Sequence, residues 1–320
     1  MNSYEVKIKY LYLGILSNFP ELVGEETACL HYDLAAPEWE ELRAAYDLER
    51  IAKKGTSFER AKRLLHYFAP RLAHSSFYDN HVECNAMRLL AYSFQNQEHG
   101  INCLNKAKIL AESCLALGIY ARRVFLYPFS PYDFDSHVVC EIYDEKLRKW
   151  IMLDPTTDGY FVDETGTPLS MYEIRTNFVR GRFLTFVASN GRKTDLPRAA
   201  VRNEAINLYF MKNCFRIAFE SYNGFGEREG SICLVPEHYS VCKNEERNHA
   251  FGWKICRRSS GTCWRPRRAT YARPTMKESP RRTAFSRFTR LRWRNNKRRD
   301  RSKADRFRRF VYSVWDSRPS

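Results

Sequence analysis

None of the ten cysteines forms a Cys-x-x-Cys pair, and none falls at a zinc-ligand spacing with histidine. That absence argues against a structural metal site. Long apolar runs are missing too, so no segment reaches membrane-spanning length. Near the start, Lys7 and Lys9 precede only the seven-residue run Tyr10–Leu16, too short for a secretory core. The alternation Val6, Ile8, Tyr10, Tyr12 predicts a strand there instead. With no leader, no span and scattered thiols, the expectation is a cytoplasmic protein with reduced cysteines and no membrane contact. Internal repeats are also lacking.

Aliphatic side chains nearly vanish late in the chain: after residue 256, Leu291, Val311 and Val314 are the only Leu, Ile or Val. Anions are as scarce there. Residues 251–320 hold 23 Lys and Arg against 4 Asp and Glu, with 19 Arg to 4 Lys. The overall charge of +16 therefore resides in this tail, since residues 1–250 carry 30 cations against 33 anions. A segment this poor in apolar side chains cannot bury a core and is expected to be mostly disordered. Its interleaved Arg, Trp and Phe over residues 287–301 would suit non-specific nucleic-acid or anionic contact. A solvated extension and an out-of-frame translation are the competing readings.

What is present before residue 250 is ordered periodicity. Residues 37–52 give an amphipathic helix broken by Gly55, and Thr56 with Glu59 forms a capping box. The helix it opens carries Phe58, Ala61, Leu64, Leu65 and Phe68 at helical spacing and is limited by Pro70. A third helix spans about 85–94. Next, GINCLNKAKILAESCLALGI (100–119) shows a wide apolar stripe ended by Gly118. The period then drops to two, predicting strands over 120–127, 136–143 and 148–153, with 159–162 extending the sheet. Helical patterns return at 169–179 and 202–219, and 232–235 reads as a last short strand. The fold class is α+β: helices first, then an antiparallel sheet packed on the long central helix.

Cys103 and Cys114 both lie in that central helix pattern but differ. Cys114 sits on the apolar stripe and reads as a packed core thiol. Cys103 follows Asn102, a good N-cap residue, and so falls in the first turn, where free N–H groups and the helix dipole favour a thiolate. A thiol nucleophile needs a base and an orienting partner. Among the eight histidines, His31, His66, His74, His81 and His238 lack an acidic partner at strand spacing. His99 sits in the turn before Cys103, and His249 adjoins the basic tail. His137 differs. With a loop at 144–147, Tyr143 faces Arg148, Glu141 faces Trp150, Val139 faces Met152 and His137 faces Asp154. The opposite face then carries Val138, Cys140 and Ile142 against Ile151 and Leu153, a core face. An ordinary surface ion pair is the alternative for His137 and Asp154.

Cys103 at a helix start, then His137 and Asp154 on successive strands, resembles the transglutaminase-like superfamily. The strings GINC, ALGIYARRV, SHVVCEIY and KWIMLDPT match its core pattern over about 56–170, at triad spacings of 34 and 17 residues. A stand-alone, metal-independent bacterial-type member is the closer likeness. The resemblance implies a papain-like core within a domain of residues 1–250, with a helical N-terminal extension and the tail 251–320 outside it. It further implies Cys103 as nucleophile, His137 as base and then acid, and Asp154 as orienter. An acyl-thioester forms on an amide or peptide carbonyl of a protein or peptide substrate, with no cofactor and no metal. The Cys103 backbone N–H would meet the oxyanion; Gln97, six residues upstream, is a candidate second donor, with a solvent-exposed amide as the alternative. Trp150 reads as packing, Tyr160 and Phe161 either border the cleft or fill it, and one of Arg122 and Arg123 is expected to face solvent. Transfer and hydrolysis share all these residues. A catalytically silent, peptide-binding scaffold of the same fold is the rival reading, and tail-driven nucleic-acid binding is another.

Overall fold

In the computed structural model of the chain, residues 3–24, 30–130, 132–191, 196–237 and 239 are described. The Arg-rich tail, His238 and His249 lie outside the described residues. The chain opens with helix α1 (Ser3–Asn18), where the alternation predicted a strand. The unbroken run from Tyr10 to Leu16 satisfies either period, and packing decides. Tyr12, Leu13 and Leu16 share a helical face and join a buried cluster. The short strand β1 (Leu22–Val23) then takes the outer sheet position, and β2 (His31–Tyr32) follows.

The helix expected over 37–52 is two helices, α2 (Glu38–Tyr46) and α3 (Leu48–Ala52). Asp47 breaks them apart by adopting the left-handed conformation (φ 50°). Helix α4 (Ser57–Phe68) starts in the predicted capping box, with Thr56 and Glu59 side chains each bonding the other's backbone N–H. Asn85 caps α5 (Ala86–Gln95), and Asn102 caps α6 (Cys103–Ala116). The strands β3 (Ala121–Tyr127), β4 (His137–Asp144) and β5 (Lys149–Leu153) form an antiparallel meander.

Strand β6 (Gly159–Val162) does not extend this meander. It pairs with β7 (Thr185–Ala188), which follows helix α7 (Met171–Val179), as a separate ribbon bridged to the end of β5 through Asp154 and Gly159. Helix α8 (Leu196–Asn213) ends earlier than its pattern suggested. Residues 215–219, apolar except for Arg216, instead supply β8 (Arg216–Glu220), which pairs with β3 on one side and β10 (Ser231–Pro236) on the other. Strand β9 (Tyr222–Asn223) pairs with β2. The main sheet runs β1-β10-β8-β3-β4-β5.

Both faces of this sheet are covered. Cys140, Ile142, Ile151 and Leu153 meet α2 to α6 on one side. Val139, Met152, Phe219 and Leu234 meet α1, α7 and α8 on the other. This explains why β4 is buried at every position. It also corrects the expectation for Arg122 and Arg123, neither of which reaches solvent. Arg122 pairs with Glu141, both 0% exposed, and Arg123 bonds Glu220 and Glu227. Among the described residues no helix is long and apolar enough to cross a membrane.

Candidate active site

The start of α6 is held from outside the helix. Ile101 and His74 form a parallel bridge, with the Ile101 N–H donating to Ala73 O and the Ser75 N–H to Ile101 O, each at 3.1 Å. Gly100 is needed there because a Cβ would lie 2.9 Å from Ser75 Cβ. Asn102 then caps α6, its side chain accepting from the Asn105 N–H at 3.3 Å. The Asn105 amide donates onward to Asn80 at 2.7 Å and to Asn102 at 3.0 Å. These bonds deliver Cys103, half-buried, to the first helical position.

His137 begins β4 at the rim of the sheet and is 2% exposed. The hairpin register differs from the expected one by two residues: Tyr143 pairs with Trp150 and Glu141 with Met152. The loop lies at 145–148, one residue later than expected, because Asp144 stays in the strand. One carboxylate oxygen of Asp144 accepts from Leu147 N–H and the other from Phe58 N–H, both at 2.8 Å. Arg148 closes the turn in the left-handed region (φ 55°). A shift of two preserves the face of every side chain, so His137 and Asp154 are diagonal rather than opposed neighbours. His137 Nε2 lies 3.0 Å from Asp154 Oδ2.

Asp154 is fully buried and satisfied. Thr156 N–H donates to its Oδ1 at 2.8 Å, and the Thr157 hydroxyl to its Oδ2 at 2.5 Å. Burial opposes its ionisation, but the His137 charge and these hydrogen bonds hold its carboxyl below the usual range. For His137 burial opposes the cation, but Asp154, and then a side-chain hydrogen bond and charge interaction with Cys103, push it up to about 10. Since Nε2 is engaged by Asp154, Nδ1 is the ring nitrogen left for the Cys103 sulfur. The rings of Tyr209 and Phe210 stand edge-on to the imidazole, at 5.2 and 5.5 Å between centroids.

Further charged groups border the three. Lys106, one helical turn after Cys103, is 2% exposed. Burial lowers its affinity for a proton, while Asp154 and Cys103 act in the opposite direction. The exposed His74 is lowered by partial desolvation first and then by the cations of Lys106 and His137. The Tyr209 hydroxyl donates to Asp135 Oδ1 at 3.1 Å, and the phenol is pushed up by burial, with Asp135, Cys103 and Asp154 adding to the effect. Neither Lys106 nor Tyr209 was singled out from sequence. For Lys106 the i,i+3 spacing from Cys103 was the available signal. His81 was expected to lack an acidic partner, yet its Nδ1 contacts Asp79, two residues away. Gln97 is exposed in the turn after α5, and its side chain makes no hydrogen bond among the described residues. Beside Asp154 and Tyr209 lies an open cavity of about 420 Å³, lined by Thr156, Thr157, Arg202 and Ile206 among others. Among the described residues no group of three His, Cys, Asp or Glu side chains is arranged to hold a metal ion.

Residues 45–155 match the family model of the transglutaminase-like superfamily. The chain carries a transglutaminase-like domain. The match begins near the end of α2 and closes just past Asp154, so it spans all three residues of the Cys–His–Asp set. No curated protein matches the chain. Among solved structures, the chain is similar at 9% identity to one in the crystal structure of Rad4-Rad23 bound to a 6-4 photoproduct UV lesion. The alignment covers 73% of this chain and 66% of that one, at a TM-score of 0.17, too low to support any inference. The transglutaminase-like superfamily generally implies cysteine-based acyl transfer or hydrolysis.

Proposed function

We propose that this protein is a cysteine enzyme that transfers or hydrolyses acyl groups of an amide or peptide substrate. The reading is supported by the position of Cys103 at a helix start, where its charge acts on His137, and by the 3.0 Å contact from His137 Nε2 to the buried Asp154. In the reaction His137 Nδ1 takes the thiol proton and the sulfur attacks the carbonyl carbon. Negative charge developing on the carbonyl oxygen is met by the Cys103 backbone N–H, free at the helix start. Gln97 would join it by swinging in from the exposed turn. The imidazolium then gives its proton to the leaving amine, and an acyl-thioester remains. An incoming amine or water, deprotonated by the same ring, completes transfer or hydrolysis. Asp154 keeps Nε2–H donating outward, so that Nδ1 faces the sulfur throughout.

The substrate is a protein or peptide presenting its amide across the open cavity beside Asp154. Six described cysteines are free thiols, which fits a reducing, cytoplasmic location. The test is alkylation of the full-length protein by iodoacetamide at neutral pH, with every modified cysteine mapped by mass spectrometry. Cys103 should react well ahead of the other nine, and Cys103→Ala should remove the fast phase together with any amide turnover. Uniform slow labelling would instead support a peptide-binding scaffold without chemistry.

A further inference from the structure

Lys106 is a buried cation that the three-residue mechanism does not use. Its residue is 2% exposed, yet its ammonium makes no hydrogen bond among the described residues. Its neighbour Lys108 shows the ordinary solution to the same problem: it pairs with Glu112 at 3.0 Å and donates to Gly224 O at 3.4 Å. Burying an ammonium without a close partner is costly unless nearby charge compensates it. Compensation is at hand. Helical side chains lean back over the preceding turn, so a residue three positions after Cys103 reaches toward Cys103 itself. Asp154 and Cys103 are the groups that favour its charge.

The charge count in this pocket makes the role specific. With Cys103 as thiolate, His137 as imidazolium and Asp154 as carboxylate, the line alone carries one net negative charge in a largely dry site. Adding the Lys106 ammonium brings it to neutrality. We infer that Lys106 is a positioning residue whose ammonium offsets the charges of Asp154 and the Cys103 thiolate, and so holds the reactive thiolate–imidazolium pair at neutral pH. This inference rests on the Cys–His–Asp reading above and deepens it. The titratable groups that act on Lys106 are Cys103 on its own helix, Asp154 after β5 and His74 on the ledge beside Ile101; His137 on β4 and Tyr209 of α8 share Cys103 and Asp154 as neighbours.

The test is the pH dependence of iodoacetamide alkylation at Cys103 in the full chain, comparing wild type with Lys106→Met, Lys106→Gln and Lys106→Arg. Met has a similar length and no charge, and Gln is a polar alternative should Met fold poorly; circular dichroism checks each. Removing an opposite charge at close range moves such a titration by about one pH unit or more. The acid limb of the rate should therefore move to higher pH by about one unit in the Met and Gln variants, and lie near wild type in Lys106→Arg. A folded Met or Gln variant whose acid limb coincides with wild type, even if slower throughout, overturns the inference. If wild-type Cys103 shows no selective alkylation at all, the triad reading itself fails, a distinct outcome.

Discussion

His137 and Asp154 sit two residues out of direct opposition on neighbouring strands, yet their Nε2 and Oδ2 atoms are 3.0 Å apart. Strand side chains alternate, so a slip of two leaves both on one face, while a slip of one would have separated them. The carboxylate is held in this diagonal position by Thr156 N–H and the Thr157 hydroxyl. Asp154→Asn keeps the shape but offers an amide N–H where the ring needs an acceptor. Alkylation of Cys103 and amide turnover should each fall by about 10²- to 10⁴-fold. Thr157→Val, which removes one donor to Oδ2, should cost far less, on the order of tenfold. Equal losses in the two variants would mean that the carboxylate charge is not what orients the ring.

The same pair sets a pH dependence of stability. His137 is pushed up to about 10 from an ordinary 6.5, so the folded state holds the proton more tightly than the unfolded chain. Its contribution is complete below about 6.5 and is lost as pH rises through about 10. Asp154 is depressed from 3.8, so its contribution is present above that value and fades as pH falls through its lowered one. Thermal melts of wild type and His137→Asn should therefore be furthest apart between about pH 4 and 6.5 and converge toward pH 10. A gap that widens on the alkaline side would contradict the assignment.

Arg122 and Glu141 form an ion pair with neither side chain exposed. The guanidinium lies 3.9 Å from the Trp150 ring centroid and 4.3 Å from that of Phe219. Arg122→Ala strands the carboxylate in the core and should cost about 3–5 kcal/mol by chemical denaturation. Glu141 Oε1 also accepts from Met171 N–H at 2.7 Å. The double variant Arg122→Met with Glu141→Gln keeps that acceptor and removes both charges, so it should recover most of the loss. No recovery would show that packing on Trp150, rather than charge pairing, is the larger effect.

Local rules made part of this architecture legible in advance. Thr56 with Glu59, and Asn102 before Cys103, fix helix starts through bonds spanning three residues, and the sequence displays such bonds directly. The hairpin parity was also legible, because the face of His137 depends only on an even displacement. Its register was not, since the loop position depends on Asp144 accepting from Phe58, which lies 86 residues away. Residues 215–219 carry, apart from Arg216, apolar side chains compatible with either period, and pairing between β3 and β10 makes them a strand. Buried charges are hidden for the same reason. Lys106, Arg122 and Arg123 look like surface cations until the partners arriving from distant segments are known.

Gly159 links the ribbon of β6 and β7 to the Asp154 turn. It exchanges two backbone hydrogen bonds with Asp154, at 2.8 and 3.2 Å. A Cβ at this position would overlap the Phe186 ring and the Val187 carbonyl oxygen. Part of that obstruction is backbone on the paired strand, which cannot rotate away. Gly159→Ala should force β6 from β7, cost about 1–3 kcal/mol in denaturant unfolding, and slow Cys103 alkylation by loosening the turn that holds Asp154. Gly166 supplies the control. It adopts φ +83° with open space around it, so Gly166→Ala adds only backbone strain of roughly 1 kcal/mol and should leave alkylation at the wild-type rate. If both alanines destabilise but neither alters alkylation, the ribbon braces the fold without setting the position of Asp154.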